Sequence, residues 1–436
     1  MSAPISKEYD IIILGASGLT GRYAMEELSQ CVTESSGLKW AIAGRNTEKL
    51  KRSLENVRES LPKETDIRSP PIIKADVQDP SSIHEMCKRT KLLLNCVGPY
   101  DANGGEMIVA TCIECRTHCV EISAEIKYLD KVLAKYFDSA RKAGVYIVQS
   151  CGFGSLPADY GIALLMKKFA GGLNSVEYFV EILEGPRGIS IGFGTFSSCA
   201  PSMVDYFKYE FEQDVEKVGK PSSVNSSFSV KKLIKKPLVK YSFKEKSLCL
   251  NFLGPDRRNI VQSQILRANV SNKKMSIIET RSYLKPPSVF KTVSYIFSFL
   301  IVAVMQLFAV GIYFTNKYPS FFTLGMFTKS GPSRQQILES GTRFTFYAKG
   351  WKNKADADIK QTLKPDKKLK LIINGQEPAY ALTAVCMIQS CLTVLFEQEK
   401  LPLEGGVYPS GFAFENTNIL ERLEKRGMTF TFEEMK

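Results

Sequence analysis

Six short apolar runs punctuate the first 150 residues: YDIIIL, KWAIAG, PPIIKA, KLLLNC, HCVEIS and VYIVQS. Each has strand length, and most are continuous rather than alternating, as expected of strands buried on both faces. Between them lie longer stretches with apolar residues three or four apart, which predict helices. Strands alternating with helices predict an α/β fold built on a parallel, doubly wound sheet.

A different pattern follows two thirds of the way along. Thr292 to Asn316 holds no charged residue and is bracketed by Lys291 and Lys317. Its centre, residues 293–314, would reach about 33 Å as one helix, enough to cross a hydrocarbon layer. Ser294, Ser298 and Gln306 do not gather on one face, which argues against an ordinary amphipathic surface helix. A span, a buried core helix and an insertion into one leaflet remain. The KYPSFFTLGMF stretch that follows brings aromatics and a proline suited to an interfacial turn.

The chemistry begins at the first strand. YDIIIL runs into GASGLTG and then at once into a helical pattern. Gly15 permits a tight turn, Gly18 lets backbone approach a pyrophosphate, and Gly21 lets helix pack close on strand. Ser17, Leu19 and Thr20 complete the turn at the helix N-terminus, where phosphate is favoured. A dinucleotide is the expected ligand. The second strand ends at Gly44-Arg45, where an NAD site would place an acid for the ribose diol. Arg45, with Asn46 beside it, suits a 2′-phosphate instead, so the expected cofactor is NADP(H). The third strand ends at Asp76-Val77, a usual place for adenine contacts, and the fourth at Asn95, Cys96, Val97, Gly98, Pro99 and Tyr100.

Composition narrows the class. The chain has 436 residues, 44% hydrophobic and 24% charged, enough for two or three globular domains. Nothing in MSAPISKEYD has the pattern of an export or organelle presequence, and eleven cysteines then predict reduced thiols in a cytosolic compartment. The net charge of +13 is concentrated: Lys217 to Lys291 holds seventeen Lys/Arg against Glu245, Asp256 and Glu279. This basic stretch leads into the apolar run, so an anionic lipid surface is the expected partner. No zinc finger, RNP or helix-turn-helix pattern accompanies it, and no nucleic-acid partner is expected.

Three other signals are set aside. Cys112, Cys115, His118 and Cys119 are too tightly spaced for a zinc module, and no metal is expected. His84 has no partner in sequence. The Tyr313…Lys317 pair has the Tyr-x-x-x-Lys spacing of short-chain dehydrogenases, but it ends the apolar run, far from the nucleotide fold.

Later stretches, CGFGSLPADYG, EGPRGISIGFGTFSS and GGVYPSGFAF, join GASGLTG, AGR and NCVGPY in the order found in the saccharopine dehydrogenase-like oxidoreductases. The chain resembles that family from about residue 8 to about 432, and is similar, more distantly, to saccharopine reductase and bacterial trans-acting enoyl reductases. The resemblance implies a Rossmann domain over 1–155, a second α+β domain over 156–290 that is basic from 217, a membrane-associating segment over 291–325, and, over 326–436, the remainder of the second domain and a C-terminal return to the Rossmann domain. It places the nicotinamide near Val97, Gly98, Pro99 and Tyr100, facing the loop from Cys151 to Asp159. Tyr100 is the preferred proton donor, with Cys151 and Asp159 as further candidates, although an acid in a first helical turn is ordinary helix chemistry. Gly154 stands where relatives carry Asp.

The expected function is therefore NADP(H)-dependent oxidation or reduction of a lipid or lipid-linked small molecule. The alternative is a catalytically impaired nucleotide-binding protein of membranes or lipid droplets. A saccharopine-type reductase ranks third, because residues 151–212 offer only Arg187 to a polycarboxylate. Because the chain must return to its nucleotide domain, residues 293–314 are expected to enter one leaflet rather than span. The expected location is the cytoplasmic face of membranes, a lipid droplet or the endoplasmic reticulum, with association at mitochondria and a homodimer left open.

Overall fold

The computed structural model describes residues 7–34, 37–62, 69–211, 239–271, 277–353 and 364–435. They fall into two units, each treated on its own. One gathers the chain up to Phe153 with Ala379–Leu423, and the other Gly154 to Pro378 with Glu424 onward.

The first unit alternates strand and helix from the start: β1 (Tyr9–Leu14), α1 (Leu19–Glu34), β2 (Trp40–Gly44), α2 (Thr47–Ser60), β3 (Ile72–Lys74), α3 (Pro80–Lys88), β4 (Thr90–Asn95), α4 (Gly105–Glu114), β5 (His118–Glu121), α5 (Ile126–Ala143) and β6 (Tyr146–Gln149). The strands run in the order 3-2-1-4-5-6, all parallel, with Ile12 of β1 beside Ala41 on one side and Leu93 on the other. The continuous apolar runs are explained by this position: Ile11, Ile12, Ile13, Leu92, Leu93 and Leu94 are all fully buried, because a parallel sheet carries helices on both faces.

The second unit follows with α6 (Leu156–Lys168), β7 (Leu173–Leu183), β8 (Ile191–Gly192), α7 (Phe193–Phe211), β9 (Val239–Ser242), β10 (Ser247–Asn251), α8 (Asp256–Ser271), β11 (Glu279–Lys285), α9 (Val289–Met305), α10 (Ala309–Lys317), α11 (Pro319–Phe322), β12 (Phe327–Thr328), α12 (Arg334–Glu339), β13 (Gly341–Gly350) and β14 (Lys367–Gln376). Its main sheet is mixed: β7 pairs parallel with β11 and antiparallel with β13.

The chain then enters the first unit again with α13 (Thr383–Phe396) and β15 (Gly406–Pro409). Strand β15 extends the first sheet by pairing with β6, Gly406 beside Tyr146 and Tyr408 beside Val148. The final strand, β16 (Thr429–Glu434), instead pairs antiparallel with β14. The remainder over 326–436 is thus divided: residues to Pro378 and from Glu424 belong to the second unit, and only the piece between them to the first. The segment Pro378–Phe396 is apolar and long enough to cross a membrane, but 78% of it is buried; it packs on α1, β4 and β5 as a core helix.

The apolar run is not one rod. It breaks at Gln306–Phe308 into α9 and α10, both within the second unit. Much of the expected basic stretch, through residue 238, lies outside the described residues. Several lysines beyond it are paired: Lys240 and Lys244 with Glu177 at 2.5 and 2.7 Å, Lys285 with Glu245 at 3.1 Å, and Lys291 with Glu184. Arg187 pairs with Glu339, so it is not held ready for a carboxylate ligand.

Candidate functional site

The glycines after β1 form a cradle that side chains would fill. Gly15 has φ +82°, and its N–H donates to Ala43 O at 2.9 Å, tying the turn to β2. A Cβ on Gly21 would fall 2.7 Å from Ala16 Cα, and closer still to the carbonyl oxygen of Gly15. Helix α1 can therefore start this near β1 only because residue 21 has no side chain. Ser17, Gly18, Leu19 and Thr20 remain at least partly exposed around the helix start, where backbone N–H groups and the helix dipole favour an anion.

Strand β4 ends beside this turn: a Cβ on Gly15 would meet Val97 Cγ2 at 2.9 Å. The neighbours β1 and β4 are the place where strand order reverses, the usual ligand crevice of such sheets. Asn95 is fully buried there; its Oδ1 accepts from the Val97 N–H at 3.0 Å, while Nδ2 has no partner among the described residues. A buried amide donor left unpaired is costly unless a ligand supplies an acceptor. Cradle and donor both fit a dinucleotide.

The remaining expected cofactor residues lie around the same sheet edge. Arg45 and Asn46 are exposed at the end of β2, and Asn46 caps α2 by accepting from the Lys49 N–H at 2.9 Å. Asp76 and Val77 are half-buried after β3, with Asp76 Oδ1 accepting from the Gln78 N–H. The Gly98–Pro99 bond is cis, and the turn is held from below by Glu125, whose two oxygens accept from the N–H groups of Tyr100 and Asp101 at 2.8 and 3.0 Å. Burial nevertheless raises the Glu125 carboxyl.

The expected catalytic residues are differently placed. Tyr100 is buried, donates its hydroxyl proton to Asn95 O at 2.7 Å, and accepts from the Ile122 N–H at 3.1 Å. Burial and the Glu121 charge hold that proton well above the usual phenol range. Its hydroxyl thus bridges β4 to the end of β5. Cys151 is fully buried, its thiol pushed up by desolvation. Asp159 is buried in α6 and accepts from Ser263 Oγ at 2.7 Å.

Sequence reasoning passed over a polar cluster in the second unit. The N-terminal turn of α8 is buried although it reads DRRN: Asp256, Arg258 and Asn259 are 1%, 0% and 0% exposed. Asn259 donates to Ser155 Oγ at 2.8 Å, and Tyr178 donates to Asp256 Oδ2 at 3.0 Å. Asp256 Oδ1 has no hydrogen-bond partner among the described residues and lies 3.6 Å from where a Cβ on Gly154 would be. Burial raises the Asp256 carboxyl to about 6, with Tyr178 and Ser155 opposing the shift. A carboxylate is therefore present beside Gly154, contributed from a position a hundred residues later. Nothing local in PDRRN distinguishes it from an exposed acid in a first helical turn.

All eleven cysteines are unpaired in disulfides, and among the described residues no group of three His, Cys, Asp or Glu could hold a metal. Cys112 in α4 and Cys119 in β5 are fully buried, and Cys112 meets Cys87 at 3.9 Å. His118 accepts from the Tyr146 N–H at 3.1 Å, and burial lowers it to about 4.

The reversed sheet order, the glycine cradle and the unpaired Asn95 amide define a dinucleotide-binding Rossmann protein. A family model described as the saccharopine dehydrogenase NADP binding domain matches residues 11–148. Saccharopine dehydrogenase-like oxidoreductase of Rattus norvegicus is 33% identical over 428 residues, covering 98% of this chain and 97% of that protein. The lipid droplet localized protein of Caenorhabditis elegans is 32% identical over 430 residues, covering 98% of each chain. Apo saccharopine dehydrogenase (L-Glu forming) from Saccharomyces cerevisiae shares the fold, with a TM-score of 0.54 at 11% identity, covering 98% of this chain and 100% of that one. The chain belongs to the saccharopine dehydrogenase-like oxidoreductase family and is an NADP-binding oxidoreductase of it.

Proposed function

We propose that this protein is an NADP(H)-dependent oxidoreductase acting on a lipid or lipid-linked small molecule at a membrane or lipid-droplet surface, which it meets through residues 293–314. The cofactor supplies the hydride chemistry. Gly15, Ser17, Gly18, Leu19, Thr20 and Gly21 hold its pyrophosphate, Arg45 and Asn46 its ribose phosphate, Asp76 and Val77 its adenine. Asn95, Val97, Gly98 and Pro99 hold the nicotinamide side, with the Asn95 amide as the donor awaiting an acceptor. The observation carrying the lipid assignment is the apolar surface of α9, α10 and the break between them, where Phe290, Phe297, Leu307, Phe308 and Val310 are each at least 60% exposed. The name of the C. elegans relative is consistent with it.

Tyr100, Cys151 and Asp159 are sealed as catalytic groups in this conformation, and Gly154 contributes no side chain. These observations favour a second reading, a nucleotide-binding lipid-surface protein without turnover. The two separate in one assay: purified full chain is charged with NADPH, and absorbance is followed across a panel of α,β-unsaturated and carbonyl lipids in vesicles. Turnover with any member supports the enzyme. Tight NADPH binding without oxidation by any of them supports the second reading.

A further inference from the structure

Helix α9 is mostly apolar, and the structure divides its surface in two. The inner side is taken up by the unit's own core, where Val302 is buried with Phe196, Ala200 and Met203, and Phe299 and Ala303 pack on the same cluster. Thr292 also turns inward, its hydroxyl donating to Ser288 O at 2.9 Å. The outer side carries Val293, Phe297, Leu300 and Val304, all more than half exposed. Steps of four, three and four residues place them on one stripe. The stripe continues through Leu307 and Phe308 across the break onto α10. An exposed face of a helix in water is ordinarily polar, and an uninterrupted apolar one marks a contact surface.

We infer that this stripe lies flat in a single phospholipid leaflet, with α9 in the plane of the surface and the chain returning to the side from which it came. The inference rests on the lipid-surface reading above and adds depth and orientation to it. A helix that spans must give its whole circumference to lipid or to other spanning elements. Helix α9 cannot do so, because α7, α11 and β10 of its own unit pack against it. At 17 residues it is also about 25 Å long, short of a hydrocarbon core of about 30 Å. The break is built rather than frayed. Gln306 Nε2 donates to Thr315 Oγ1 at 3.1 Å across it, and a Cβ on Gly311 would collide with backbone of Met305, so α10 comes this close only with glycine there.

Charge selects lipid over a second copy of the chain. No Asp or Glu occurs from Thr280 to Leu338, whereas Lys317, Lys329 and Arg334 follow the apolar residues. Two such faces would bring cations against cations, but phosphate headgroups would complement them. Lys317 sits over the rings of Tyr313 and Tyr318, at 5.5 and 5.4 Å, the pairing of cation and amphipathic ring suited to the headgroup level.

The experiment uses the full chain with phosphatidylcholine–phosphatidylserine vesicles and oil-core droplets coated with the same lipids. Phe297→Trp and Phe308→Trp place reporters at the middle and the end of the stripe; the native Trp40 and Trp351 are buried and give a constant background. Lipids brominated near the headgroup or at mid-chain then read depth. Flat insertion predicts similar quenching of both reporters, stronger from the shallow bromines, and at least tenfold lower recovery by flotation for Leu300→Glu with its thermal transition unchanged. Deeper quenching at Phe308→Trp than at Phe297→Trp would overturn flat insertion in favour of a tip-first hairpin and leave the lipid reading standing. Failure of the natural chain to float with either surface would overturn both. Shielding of both reporters in a lipid-free dimer would assign the face to a second copy and overturn the inference.

Discussion

Replacing Gly21 with alanine tests the cradle at its tightest point. The added Cβ would lie 2.7 Å from Ala16 Cα and 3.0 Å from Ala16 C, with the Gly15 carbonyl oxygen closer than either. All three neighbours are backbone, so no side chain can rotate away; the β1–α1 turn itself must move. Overpacking of this kind costs about 1–3 kcal/mol, lowering the thermal midpoint by several degrees at the roughly 2–4 °C per kcal/mol usual for a domain of this size. The larger effect should be on ligand, because the displaced peptide is the one that forms the phosphate turn. Losing even ~1.4 kcal/mol of binding is a tenfold weakening, so Gly21→Ala should bind NADPH at least tenfold more weakly. NADPH fluorescence titration and a melting curve read the two effects separately. Gly194→Ala is the matched control, since a Cβ there meets nothing within 4 Å. If Gly21→Ala binds NADPH like the natural chain, the close approach of α1 does not build the phosphate site.

Arg45→Asp removes the expected 2′-phosphate contact and should weaken NADPH binding by about 1–3 kcal/mol while sparing NADH; equal affinity of the natural chain for both cofactors would refute the assignment. Asp256 is held at about 6, above its ordinary 3.8, so the folded chain keeps a proton that the unfolded chain has released. That stabilisation is complete below about pH 4 and is lost as pH rises through about 6, a change of at most ~3 kcal/mol. His118, lowered to about 4, adds the opposite trend over the same range. The Asp256 part is therefore read as the difference between the natural chain and Asp256→Asn in urea unfolding from pH 4 to 7, the natural chain losing up to ~3 kcal/mol relative to the variant. Tyr100→Phe leaves the part-buried Ile122 N–H without its acceptor and should cost about 1–3 kcal/mol of stability; unchanged stability with abolished turnover would return Tyr100 to the reaction.

What the sequence made legible is what depends on neighbours in the chain. The β1–α1 turn is specified by Gly15, Gly18 and Gly21 within seven residues, and the buried runs around Ile12 and Leu93 state their own environment. What stayed hidden depends on residues brought together from far apart. The preference for Tyr100 rested on its place after β4, but whether a tyrosine can give up its proton is decided by Asn95 O and the Ile122 N–H, which only the sheet places around it. Asp256 was invisible for the same reason: an acid after Pro255 is unremarkable until Tyr178 and Ser155 close over it. The apolar run shows the limit most directly. Ser294, Ser298 and Gln306, expected to scatter, fall within about 120° of one another around the helix. Thr292 and Ser298 are buried, so the more polar side is turned inward and a rule of polar residues outward would choose wrongly. The choice is made by α7, whose Phe196, Ala200 and Met203 cover one side of α9 and leave the other bare. A helix that turns its few polar residues into its own protein core can thus offer an apolar side to a leaflet, and the half left bare is what makes flat insertion the arrangement to test.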